Sequence, residues 1–192
     1  DAQAFQKELR DQVISLGFSA GRDDFSGSLK TLSKNKARAF ELLNLALTKP
    51  RFDEEAITRM RQANESRIRS SLSDPDWMAA RILNDKVFAG HAYAMNSGGT
   101  LSSLSQITAT DLSDFRAKNL GKNNLQVSVA GDITAEELAK TLDQIFGSLP
   151  SVEIQTPVDL DVQNQGKVFH YAQDIPQSVV EIMQPGIGRN DP

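Results

Sequence analysis

Three adjacent acids, Asp53, Glu54 and Glu55, form the densest carboxylate cluster in the chain. Neighbouring carboxylates are what general acid–base catalysis or a hard cation would use. They open a predicted helix, where negative charge meets the positive end of the helix dipole, and that role accounts for them without catalysis. The chain has two histidines, His91 and His170, too few for a histidine-rich metal site made within it. His91 follows a predicted helix end, where an imidazole bonds loose carbonyls, and His170 lies in a predicted strand. Zero cysteines exclude disulfides, thiolate zinc sites, iron–sulfur ligation and a cysteine nucleophile. No glycine-rich dinucleotide loop, P-loop or Gly-x-Ser-x-Gly elbow occurs, so nucleotide, phosphate and serine-hydrolase chemistries lack their positioning parts.

A basic run, Arg59, Arg61, Arg67 and Arg69, falls on one predicted helix. It could meet an acidic partner, but a solvated face paired with Glu54, Glu55 and Glu65 at helical offsets is the simpler expectation. Trp77, Met60 and Met78 are expected in the core. Across all 192 residues, 21 Lys+Arg stand against 25 Asp+Glu, a net charge of −4. That balance gives no surplus to attract nucleic acid or anionic lipid. No apolar run approaches the roughly 18 residues of a membrane-spanning helix.

The elements that position these residues are legible from periodicity and punctuation. Phe5, Leu9, Val13 and Leu16 predict an amphipathic helix over 2–16 that stops at Gly17. Residues 18–32 predict two strands about a turn at Arg22–Asp23–Asp24. Ser33 is the expected cap of a core helix carrying Phe40, Leu43 and Leu47, which Pro50 ends. Phe52 before Asp53, with Ile57 following, predicts a stapled helix start whose helix runs to about Ser73, and Asp76-Trp77 opens another that reaches Phe88. Residues 90–106 are expected to form a loop. Two further starts are well specified: Ile107-Thr108 with Asp111, and Ile133-Thr134 with Glu137 as a capping-box acid. Between them, Leu125, Val127 and Val129 predict a strand over Asn124–Gly131. Residues 151–166, with Pro157 and no sustained period, are expected to be a linker, and Lys167–Ala172 and Ser178–Met183 read as strands.

The order of these elements resembles the pitrilysin, or M16, zinc metallopeptidase family, which includes insulysin, mitochondrial processing peptidase and bacterial paired peptidases. The resemblance is carried by the helix–Gly17–strand–strand segment with Phe25-Ser26-Gly27-Ser28-Leu29, by Lys49-Pro50-Arg51-Phe52, and by Gly90-His91-Ala92-Tyr93 before Gly98-Gly99-Thr100. Ile107-Thr108 to Phe115, Asn124-Leu125 through Ala130-Gly131-Asp132-Ile133, and Gln184-Pro185-Gly186 extend it over nearly the whole chain.

The resemblance implies an α+β fold of the LuxS/MPP-like metallohydrolase type, an antiparallel-rich sheet with packed helices. Residues 1–150 would supply most of one such domain, and 167–192 the first strands of a second. It also implies repeated domains around a chamber for an unfolded peptide, with zinc held by His-x-x-Glu-His on one helix and a later Glu on another. No His-x-x-Glu-His occurs here, and the helix that would carry it is expected upstream of Asp1. The family's two glutamates after the Pro-x-Phe turn align with Met60 and Arg67, so no catalytic and no metal-binding residue is assigned in this chain. Glu65, two residues from Arg67 and about 200° around the helix, cannot substitute. The likeness is closest to non-catalytic subunits that help enclose and bind peptide. Zinc is then expected only in an M16-family catalytic partner, and a homodimer is the other assembly considered. Phe25, Ser26, Gly27, Ser28 and Leu29 are the candidate edge for pairing with an extended peptide. The alternatives are a catalytic zinc metalloendopeptidase whose motif lies upstream, and a purely structural subunit. The bacterial likeness suggests the periplasm, with the cytoplasm as the other possibility.

Overall fold

The computed structural model describes residues 2–154, 160 and 162–187. They divide into two compact units: one combines residues 2–59 and 107–154, the other Met60–Gln106 with 160 and 162–187.

In the first unit, α1 (Ala2–Asp11) is shorter than its apolar period predicts. The helix stops because Val13 adopts a left-handed conformation, φ 54°. Ile14 N–H then donates to the Leu9 carbonyl at 2.8 Å and Val13 N–H to Arg10 at 3.0 Å, a Schellman closure with a β-branched residue where glycine is usual. Gly17 is therefore not the stop: it lies inside β1 (Ser15–Ala20). β1 pairs antiparallel with β2 (Phe25–Lys30), with Leu16 opposite Leu29, Phe18 opposite Gly27 and Ala20 opposite Phe25. The expected turn closes through Gly21 N–H to the Asp24 carbonyl, 2.8 Å. By alternation one face of the hairpin is serine-rich and the other carries Leu16, Phe18, Phe25 and Leu29.

The core of this unit is Leu9, Ile14, Ala39 and Leu42, with Phe5, Leu16 and Leu29 packed against it. Ala39 and Leu42 belong to α2 (Lys36–Thr48), preceded by a 3₁₀ turn over Ser33–Asn35. Ser33 thus starts the turn and does not cap the helix. Asn35 holds the cap position, but its amide donates to the Gln12 carbonyl, satisfying an orphan acceptor beyond α1. Arg38 joins Glu8 of α1 and Glu41, each at 2.6 Å. That guanidinium holds the Glu8 carboxyl below its ordinary value, and the two acids push Arg38 up. α3 (Glu54–Ser71) begins in this unit and ends in the other.

Thr108 caps α6 (Ala109–Asn119) with a full reciprocal box: Asp111 N–H donates to Thr108 Oγ1 at 3.2 Å and Thr108 N–H to Asp111 Oδ2 at 2.8 Å. Thr134 caps α7 (Ala135–Phe146), but only half of the expected box forms. Glu137 turns its carboxylate to Lys36 of α2, 2.7 Å away. Asn44 of α2 completes the α2–α7 seam by donating to the Gln144 and Ile145 carbonyls, at 3.1 and 2.7 Å. The predicted strand at Asn124–Gly131 is not a ladder strand: residues 122–124 form a 3₁₀ turn and 125–130 carry no sheet pairing among the described residues. Leu125, Val127 and Val129 remain substantially exposed as a result.

In the second unit, Asp74 caps α4 (Pro75–Val87) by accepting from Asp76 N–H and Trp77 N–H, with Pro75 at the first helical position. The stretch 90–106 is more ordered than a loop. It holds a 3₁₀ turn, Ala92–Ala94, and a single helical turn, α5 (Leu101–Leu104), closed by a Thr100–Ser103 box. Arg81 ties α4 to this stretch by donating to the Ala94 carbonyl. Ile68, Val87 and Leu104 are buried here. The segment from 162 opens on a turn over 164–166 and is held to α4 by Gln163 N–H to the Val87 carbonyl at 2.9 Å and Asn164 Nδ2 to the Lys86 carbonyl at 2.7 Å. The stretches predicted as strands, 167–172 and 178–183, carry no sheet ladder among the described residues. Part of the expected linker, 155–159 and 161, lies outside the described residues, as do Asp1 and 188–192. The fold class is α+β, with packed helices and a two-stranded antiparallel sheet.

Candidate functional site

The α3 helix presents the residues that matter for metal chemistry. Met60, expected in the core, is 59% exposed, and its thioether is a weak donor for zinc. Glu65 is paired with Arg69 one turn on, at 3.3 Å. Arg67 carries a guanidinium, which has five donor hydrogens and no lone pair to give a cation. Among the described residues no group of three or more His, Asp or Glu is placed to hold a metal ion. Zinc needs three or four such donors converging at about 2 Å, so the residues of α3 do not fit it.

The basic run resolves into different roles. Arg59 pairs with Glu55 at 3.9 Å and Arg69 with Glu65, as the helical offsets predict. Arg61 Nε donates to the Leu104 carbonyl at 3.1 Å. Arg67 has no hydrogen bond or ion pair within the described residues. It borders a cavity of about 270 Å³ that is also lined by Ile68, Ser71, Trp77, Asn96, Ser97 and Gly98. The cavity loop is fixed by two bonds between Asn96 and Gly99: Asn96 Nδ2 to the Gly99 carbonyl at 2.7 Å, and Gly99 N–H back to the Asn96 carbonyl at 2.8 Å. A Cβ built on Gly98 would lie 3.0 Å from Arg67 Nη2, so the absence of a side chain there lets the guanidinium rest against the loop. Sequence reasoning singled out Arg67, and left Trp77 and Gly98 as core and loop residues with no part in a site.

The imidazole of His91 does not donate to a helix-end carbonyl. Its Nδ1 accepts from Tyr93 N–H at 3.1 Å and its ring meets the Tyr93 ring edge-on at 4.8 Å. His170 is exposed and lies in no helix or strand. The candidate peptide edge, Phe25 to Leu29, is β2 in its entirety apart from Lys30. β2 pairs with β1 alone among the described residues. Phe25 stacks on Phe18 with ring centroids 5.7 Å apart, both rings partly open to solvent.

Comparison with known proteins places this geometry. Residues 106–192 match the family described as "Peptidase M16 inactive domain". The fold superposes on the crystal structure of a peptidase M16 inactive domain from Pseudomonas fluorescens with a TM-score of 0.78 at 22% identity, covering 83% of this chain and 39% of that one. The chain is also 27% identical over 149 residues to the "Non-peptidase homolog YmxG" of Helicobacter pylori, covering 78% of this chain and 34% of the relative. The chain is thus similar to members of the M16 peptidase family over its C-terminal half and in its fold. A second relative, mitochondrial-processing peptidase subunit beta of Saccharomyces cerevisiae, is 24% identical over 199 residues, covering 99% of this chain and 42% of the relative. The chain thus spans 34% and 42% of the length of these two relatives. No helix among its described residues is long and apolar enough to cross a membrane.

Proposed function

We propose that this chain is part of a non-catalytic M16-type subunit, which helps to enclose and hold an extended peptide for a zinc-bearing M16 partner. The observation that carries the reading is Arg67: a permanent cation stands on α3 where the resemblance puts an anionic zinc ligand, and Met60 stands at the other glutamate position. The name of the Helicobacter pylori relative, a non-peptidase homolog, supports the same direction. Peptide would be gripped in part by backbone pairing along Phe25–Leu29 of β2, which gives affinity with little dependence on sequence. Zinc belongs in this reading to the partner, and a periplasmic location suits a cysteine-free chain with bacterial relatives.

The test is a metal and activity measurement on the full-length protein. Purified alone and equilibrated with zinc, it should retain well under one equivalent and cleave no unfolded peptide. Mixed with its M16 partner, it should raise hydrolysis. One equivalent of bound zinc with hydrolysis by the protein alone would overturn the proposal, and failure to raise any partner's activity would favour a purely structural subunit.

A further inference from the structure

The cavity beside Arg67 has a chemistry of its own. Among the described residues its only charged lining group is the guanidinium, and no carboxylate lines it. The other arginines of α3 are engaged elsewhere, two with glutamates and Arg61 with the Leu104 carbonyl. One uncommitted positive charge therefore faces the open space. Opposite chemistry is supplied by Trp77, whose ring gives an apolar wall, and by the hydroxyls of Ser71 and Ser97. A volume of about 270 Å³ corresponds to roughly nine water molecules, the scale of one or two amino-acid residues.

We infer that this cavity binds the carboxylate of a peptide, with Arg67 as the bidentate donor and Trp77 packed against the adjoining apolar group. A guanidinium fork matches the two oxygens of a carboxylate in plane and spacing. A single cation in a chain of net charge −4 suits a monoanion better than a phosphate dianion, which calls for several donors at once. Gly98 is part of the device: with no side chain it leaves the guanidinium in place against the Asn96–Gly99 loop, so the cation is held without an ion pair of its own. The carboxylate can be the C-terminus of the peptide or an acidic side chain. This inference rests on the peptide-holding reading above and names the kind of peptide held.

Trp77 is the one tryptophan of the 192 residues, so intrinsic fluorescence reports this cavity directly. The chain would be titrated with three short unstructured peptides: one ending in a free carboxylate, its C-amidated twin, and an amidated twin carrying one internal Glu. A saturable Trp77 response is expected for one or both acid-bearing peptides, which identifies the source, and none for the neutral amide. Arg67→Gln should weaken that response about tenfold or more, as loss of one member of a charge pair does. Gly98→Ala keeps the charge but crowds Nη2, and should weaken it too, with unchanged circular dichroism in both variants. Equal binding of the neutral amide, unaltered binding by Arg67→Gln, or a silent Trp77 at millimolar peptide would overturn the inference. A Trp77 response without any gain in a partner's hydrolysis would remove the peptide-holding role and leave the carboxylate site standing. A partner activated equally by wild type and Arg67→Gln, with Trp77 silent, would do the reverse.

Discussion

Replacing Leu42 by Ala should be the most damaging single truncation in the unit that carries the β1–β2 hairpin. Leu42 is 1% exposed and packs in the cluster with Leu9, Ile14 and Ala39 that seats both strands through Leu16 and Leu29. The substitution removes three carbons, worth about 2.4 kcal/mol at ~0.8 kcal/mol each. The cavity left in a core of helices and strands that cannot fully collapse raises the loss to about 3–4 kcal/mol. For a chain of this size that is a fall in Tm of roughly 8–12 °C. Leu45→Ala is the internal control, because it lies on the same helix, is 42% exposed, and changes helix propensity in the same way. It should cost less than about 0.5 kcal/mol. Urea unfolding followed by far-ultraviolet circular dichroism separates the two. Equal losses for both variants, or a loss below about 1 kcal/mol for Leu42→Ala, would refute the placement of the core.

Other substitutions test individual joints. Val13→Asn should stabilise by about 0.5–1 kcal/mol, because Asn tolerates the left-handed conformation that Val13 is forced to adopt and little apolar burial is lost; thermal unfolding reads it. Asn44→Ala leaves the Gln144 and Ile145 carbonyls without their donor and should cost about 1–2 kcal/mol by the same urea assay. The Asp111 carboxyl is held below its ordinary value, chiefly by the Thr108 hydroxyl and then by Thr108 N–H. Its ionised form therefore adds stability fully above the unfolded value of about 3.9, and that contribution disappears as pH falls through the lower folded value. The Tm gap between wild type and Asp111→Asn should accordingly be constant above about pH 5 and close below pH 4. Arg67→Glu should abolish the Trp77 response to acid-bearing peptides and allow one to an amidated peptide carrying Lys.

Helix starts were legible where a side chain closes its own local bond. Thr108 with Asp111 is settled within three residues of chain and forms as expected, whereas the helix expected to open at Asp76-Trp77 starts at Pro75 under an Asp74 cap. What escaped depended on distant partners or on an unusual residue in a usual role. Glu137 has the spacing of a capping-box acid, but Lys36, far away in sequence, competes for it and wins. The end of α1 was misplaced because its left-handed residue is Val13, and a glycine signal further on at Gly17 was the stronger cue. α5 was missed because its box uses Ser103, where Glu or Gln is the recognisable signal. The apolar alternation of Leu125, Val127 and Val129 speaks to which side is to be covered; it does not supply the neighbouring strand that makes a ladder.

The candidate site divides along the same line. That a guanidinium at Arg67 cannot serve as a zinc ligand follows from residue type alone, which a sequence carries. That the same guanidinium lies against Gly98 and shares a cavity with Trp77 depends on how the 96–99 loop returns to α3, which no local pattern encodes. The physical consequence is a reversal of sign. A site for Zn²⁺ collects lone pairs; a guanidinium offers only hydrogens and attracts the anion that such a site would repel. Because the flanking Arg59 and Arg69 are already matched by glutamates one turn away, the reversal is confined to a single residue. A diffuse basic face would bind acidic peptides with a steep salt dependence and little sensitivity to any one substitution, whereas a single unpaired cation beside an aromatic wall would make the proposed binding hinge on Arg67 itself.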